Sequence, residues 1–183
     1  DTSAQRLKNQ VTKPEDIKIH KNYNIWTGKG EASDVDLDSP EVRDLSDYFL
    51  NPTGIEFGRS KHGGRSHRLY RVLDLDKKKH TRSAFTFRDS ATDNTIIELR
   101  AHNHYTMMAG TYDDGDTAIF NRAEKPTEIT YNQLHKQVAM LGLASIILRK
   151  SRISDPHNMF YKCMGATLMQ YKISETDAEL IFD

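Results

Sequence analysis

Residues 32–49, ASDVDLDSPEVRDLSDYF, change period partway along. Asp34, Asp36 and Asp38 alternate with Val35 and Leu37, the spacing of a strand whose successive side chains point to opposite faces. Ser39 then suits an N-cap, Pro40 the first helical position and Glu41 the first turn. A helix is therefore predicted with Val42, Leu45, Tyr48 and Phe49 on its apolar face, ended by NPTG at 51–54. A strand that runs directly into a capped helix makes the fold a mixture of both elements.

Working outward, YNIW at 23–26 has strand chemistry, with Gly28 and Gly30 as a turn before the acidic strand; residues 1–20 read as a polar lead-in. GIEFGRSKHGGRSHRLYRVLDLD at 54–76 reads as two extended segments across a Lys61-His62-Gly63-Gly64 turn. Further short strands are predicted at 83–87, 95–100, 105–110 and 117–120. Beyond Pro126 the period lengthens. Thr130 with Gln133 forms a capping box, and Leu134, Val138, Leu141, Ile146 and Leu148 mark a helix over 131–150. A second helix is expected from Asp155 through Met169 and a third from Ser174. The expected organisation is a strand-rich α+β domain over 1–125 with a helical unit over 126–183 packed on it.

The 183 residues carry no net charge, so steering of a polyanion depends on how the charges are distributed. The distribution is uneven: residues 31–47 sum to −6 and residues 59–82 to +7. The single cysteine, Cys163, excludes an internal disulfide and an all-cysteine zinc site; it suits a reducing compartment and a place in the core. No apolar run approaches the roughly 18 residues of a membrane span, and no signal peptide is visible, so a soluble, cytoplasmic protein is expected. The chain opens at Asp1 without a methionine and reads as a piece of something longer.

Three carboxylates on one strand face repel one another unless a cation sits among them, and hard oxygen ligands suit Mg²⁺ or Mn²⁺. The same spacing also serves a solvated strand end, with Asp38 helping to start the helix at Ser39. Glu98 sits in an apolar strand on the face opposite Ile97 and Leu99, with Arg100 beside it. It reads either as a third ligand with a cationic neighbour or as an exposed ion pair. Asp74-Leu75-Asp76 repeats the acidic spacing but runs into Lys77-Lys78-Lys79, so its charges are met by neighbours in a turn. Around the Gly-Gly turn, clustered arginines and His67 offer forks and N–H donors to phosphates, or else a solvated hairpin face. The eight histidines show no zinc spacing, and the Walker loop, the G-x-G-x-x-G turn and the G-x-S-x-G elbow are absent.

Taken in order, SDVDLDSPEV (33–42), FGRSKHGGRSHRLYRV (57–72) and IIELRAHNHYTMMAG (96–110) resemble the three motifs of the archaeo-eukaryotic primase superfamily. The likeness is closest to the bifunctional primase-polymerase domains of phages, plasmids and integrated elements. The segment 141–170 is similar to the small helical unit that often follows such domains, and the resemblance covers about residues 20–183. It implies a mixed or antiparallel palm sheet, like that of an RNA-recognition motif, with a small C-terminal helical bundle. It implies a DNA primase and polymerase core that performs two-metal nucleotidyl transfer with Mg²⁺ or Mn²⁺. The partners implied are a single-stranded DNA template or primer, dNTP or NTP, and a helicase as a further domain or in trans. By the same resemblance Asp34, Asp36 and Glu98 hold metal, with Asp38 as a further candidate, and His67 meets the triphosphate. Arg59, Lys61, Arg65, Ser66 and Arg100 complete the nucleotide pocket. Three departures stand out. Only 33 residues precede the first acid, MMAGTYDDGD at 107–116 replaces a Pro/Ser/His-containing segment, and no helicase domain is present. Two other functions use the same residues: a nucleic-acid-binding module without turnover, and a metal-dependent nuclease.

Overall fold

The computed structural model describes residues 22–28, 31–75 and 84–151, together with Ser174 and Thr176. Along the chain they form β1 (Tyr23–Trp26), β2 (Ala32–Asp36), α1 (Pro40–Phe49), β3 (Ile55–Arg59), a 3-10 turn (Ser60–His62) and β4 (His67–Val72). Then come β5 (Ala84–Arg88), β6 (Thr95–Arg100), β7 (Tyr105–Thr111), β8 (Thr117–Ala123), β9 (Thr127–Ile129) and α2 (Tyr131–Ser151). The strands make one sheet in the order β1-β7-β8-β3-β4-β2-β6-β5, antiparallel throughout; β9 adds in parallel to residues 70–72 of β4. The fold among the described residues is thus α+β, a curled and almost wholly antiparallel sheet with two helices.

The helices cover one face. Val35, Tyr70, Val72, Ile97 and Leu99 project from the sheet into a core shared with Val42 and Phe49 of α1 and with Leu134, Val138 and Leu141 of α2. The helix expected over 131–150 therefore joins the core of the sheet. Glycine at 142 permits its close approach, because a Cβ there would stand 2.7 Å from the Phe87 ring. Farther along, Arg149 ties α2 to Glu41 (2.9 Å) and Asp89 (3.2 Å).

Local signals decide where the helices start. The Ser39 hydroxyl accepts the Val42 N–H at 3.4 Å, as its N-cap chemistry predicts. One expectation for α1 fails: Tyr48 is 74% exposed, and Ser46 is buried in its place. Positions 42, 46 and 49 fall on one side of a 3.6-residue period, whereas 48 is turned well away from it. In α2 the Gln133 N–H reaches the Thr130 hydroxyl at 3.3 Å, and the Tyr131 N–H reaches the Asp74 carboxylate at 2.6 Å. Asp74 is thus a helix cap. Asp74→Ala is expected to cost about 1 kcal/mol in urea denaturation.

Strand β9 was not foreseen, since three residues carry no readable alternation; pairing with β4 makes them a strand. Several expectations lie outside the described residues: the lead-in over 1–20, Asp76 and the lysine run after it, the helix from Asp155 to Met169, and Cys163. The third predicted helix also lies outside them, apart from Ser174 and Thr176. Among the described residues no helix is long and apolar enough to cross a membrane.

Candidate functional site

Strands β4, β2 and β6 lie side by side, and their register does what the linear sequence cannot. Asp36 is directly opposite His67 on one flank and Glu98 on the other. The row continues to Phe57 on β3 and Thr86 on β5. Directly opposed residues share a face with Cβ atoms about 5 Å apart, so three segments far apart in the chain meet in one line. One step along, Asp34 is opposite Arg100. This is the sheet face away from the helices.

The curl of the sheet closes over that row. β7 is four strands from β2 in the sheet order, yet the Thr106 hydroxyl donates to Asp34 Oδ2 at 2.7 Å. The His67 Nδ1–H reaches the same oxygen at 3.1 Å and lies 3.5 Å from Asp36 Oδ1. Its ring stacks on Phe57 with centroids 5.0 Å apart. Burial alone would push the imidazole down, but the Asp34 and Asp36 carboxylates outweigh it and raise His67 to about 9. Gly58, at φ 138°, lets β3 approach this corner, because a Cβ there would collide with the Ser66 hydroxyl.

Arg100 is the principal cation among the acids. Its Nη2 lies 2.5 Å from Asp36 Oδ2, its Nε 2.6 Å from Glu98 Oε2 and its Nη1 3.8 Å from Asp34 Oδ2. Thr86 donates to the other Glu98 oxygen at 3.1 Å. Burial opposes the charge on Arg100, yet Asp36 and Asp34 drive its pKa upward. Burial likewise pushes the Asp36 carboxyl up, only partly countered by His67 and Arg100. Asp38 follows the end of β2, exposed at the rim. Partial enclosure, and then the charge of Asp36, raise it to about 7.

A polar cleft of about 270 Å³ opens on this face, lined by Asp36, Asp38, Arg43, Arg59, His62, Ser66, His67, Arg100, Met107 and Tyr112. Its volume lies at the lower end of ligand pockets, which start near 300 Å³. Asp34 is wholly buried beneath the cleft, and Glu98 lies behind Arg100.

The anticipated phosphate binders divide. Arg59, Ser66 and His67 line the cleft, whereas Lys61 pairs with Asp114 (3.1 Å) and Arg65 with Asp47 (2.8 Å). Arg59 is itself held, by Asp114 at 2.8 Å and by the Tyr112 ring 3.8 Å away. These pairs are partly exposed and correspondingly weak. Arg68 and Arg71 are engaged elsewhere, Arg68 in the protein interior and Arg71 with Glu31 and Glu128 at the surface. The five described bases of this run, Arg59, Lys61, Arg65, Arg68 and Arg71, are thus each answered by carboxylates from other segments.

Sequence reasoning missed Arg43, His62, Met107, Tyr112 and Thr106. Arg43 reaches back from α1 to the carbonyls of Leu37 (2.9 Å) and Asp38 (3.1 Å). The only hint of it was its position as the lone base in an acidic stretch. Met107 and Tyr112 fall in the segment singled out for its departure from the family pattern, and among the described residues the buried Tyr112 hydroxyl has no hydrogen-bond partner.

As the side chains stand, no group of three His, Cys, Asp or Glu among the described residues is arranged to hold a metal ion. The donors nevertheless suit a hard divalent cation: all are carboxylate oxygens, and among the described residues the buried Asp34 Oδ1 has no hydrogen-bond partner. No family model matches the chain, and no curated protein matches its sequence.

Proposed function

We propose that the chain is the catalytic core of a DNA primase-polymerase, which joins dNTPs or NTPs on a single-stranded DNA template in the replication of a mobile element. One observation carries the reading. The residues singled out in three separate motifs, Asp36, His67 and Glu98, are neighbours in one row across β4, β2 and β6, beside a polar cleft. The family resemblance assigns them roles in one reaction, and their convergence supports that assignment.

In this mechanism the triphosphate enters the cleft between Arg43 and Arg59, while His67 donates from Nε2 to a phosphate oxygen. Asp34 holds the opposite ring nitrogen and sets the orientation of the ring. By the resemblance, Asp34, Asp36 and Glu98, with Asp38 as a further candidate, would hold a Mg²⁺ or Mn²⁺ ion. When bound, that ion would acidify the attacking hydroxyl and stabilise charge on the transferring phosphate. Met107 and Tyr112 also line the cleft, Tyr112 with its ring against Arg59.

The test is primer extension and de novo synthesis with each nucleotide type, with Asp34→Ala, Asp36→Ala and Glu98→Ala run in parallel. Each substitution is expected to abolish incorporation; full activity in all three would overturn the reading. A nucleic-acid-binding module without turnover is the second reading, favoured by the guanidinium wedged between Asp36 and Glu98. It predicts salt-sensitive single-strand binding with no incorporation. Cleavage of labelled DNA without nucleotide addition would instead support a nuclease.

A further inference from the structure

We infer that Arg100 takes the place of one of the two cations of nucleotidyl transfer, so that the cleft accepts a single divalent ion, held by Asp36 and Asp38 rather than by Asp34 and Glu98. The inference rests on the proposed reading and changes its metal set.

The geometry comes first from register. Asp36 and Glu98 are opposed across β2 and β6, where one bridging ion would be shared. The guanidinium is already there, with Nη2 on Asp36 and Nε on Glu98. It comes from the same strand face as Glu98, two residues on, and a further N–H lies 3.5 Å from Thr106. Arginine stays charged at any working pH, and its planar fork matches two carboxylates at once. A divalent ion and a guanidinium repel, so one excludes the other from that point.

The second observation is what remains open. Asp38 lines the cleft, and among the described residues its carboxylate makes no hydrogen bond or ion pair. Asp36 lines the same cleft, and each carboxylate oxygen has a second lone pair to offer. Asp34, by contrast, is 0% exposed, and its Oδ2 is engaged by His67 and Thr106. Mg²⁺ typically binds through one or two carboxylates, waters and substrate phosphates rather than an all-protein cage. Two acids lining one cleft fit that habit. Asp34 becomes a positioning residue for His67.

The experiment counts Mn²⁺ bound to the purified chain by calorimetry and by electron paramagnetic resonance, with folding checked by circular dichroism. The wild type is expected to bind one Mn²⁺. Asp38→Asn should weaken binding at least tenfold, while Asp34→Asn and Glu98→Gln stay within threefold. Arg100→Gln should bind a second ion, and Arg100→Lys, which cannot bridge both acids, serves as its partner should the first fail to fold. Two ions on the wild type would overturn the inference. So would loss of binding in Asp34→Asn and Glu98→Gln with Asp38→Asn unaffected, or unchanged stoichiometry in a folded Arg100 variant. In each of those outcomes nucleotide incorporation by the wild type persists, so the primase-polymerase reading survives. A folded wild type that neither binds Mn²⁺ nor incorporates nucleotide overturns both.

Discussion

Asp36→Asn is expected to reduce nucleotide incorporation by at least a thousandfold while leaving the melting temperature at or above that of the wild type. The side chain stands at the centre of the row, opposed to both His67 and Glu98, and it lines the cleft. An amide keeps its shape but not the charge that attracts a cation. Folding, in contrast, gains from the change. Burial raises the Asp36 pKa in the native state, so its ionised form is held at a cost above the pKa of the unfolded chain. Neutralising it removes that cost at neutral pH. A clear loss of thermal stability would mean that its pairing with Arg100 outweighs burial, and normal incorporation would remove Asp36 from the chemistry.

Arg68→Ala is expected to cost about 3–5 kcal/mol, the range for stripping one partner from a buried ion pair. That is a large part of the 5–15 kcal/mol by which domains are stable. Arg68 is 2% exposed, and its Nε lies 3.1 Å from Glu56, which is equally buried. It also donates to the Ser46 carbonyl at 3.2 Å and pairs with Asp47, fastening α1 to the sheet. Without it, among the described residues Glu56 keeps Asn121 at 2.7 Å and a distant Arg122. Urea denaturation of Arg68→Ala measures the loss. A double variant, Arg68→Met with Glu56→Leu, should recover most of it, because no charge is left buried. A loss below 1 kcal/mol for the single change would show that this link does not hold α1.

Arg68 also illustrates where linear reading stops. Next to His67 in a basic run, it counts as one more phosphate-facing charge. In the sheet its neighbour His67 faces the cleft while Arg68 faces the helices, and only burial on both sides of β4 reveals the difference. The same limit applies to Lys61 and Arg65, whose partners Asp114 and Asp47 lie 53 and 18 residues away.

The sequence by itself determined the local elements: the alternation that makes β2, the Ser39 and Thr130 caps, and the helical period of 131–150. It also brought Asp36, His67 and Glu98 forward, as one of three alternating acids, a histidine in a basic run and an acid in an apolar strand, and only the family resemblance gave the three a shared role. Those signals depend on neighbours within a few residues, which is the range of propensity, capping and side-chain period. Only the tertiary structure decided which of these residues meet and which charges are already answered. Strand register set Asp36 between His67 and Glu98, the curl brought Thr106 and Met107 over them, and Arg100 settled among the acids. Each of these is a contact between segments distant in the chain, settled by how the sheet pairs and closes rather than by any local pattern.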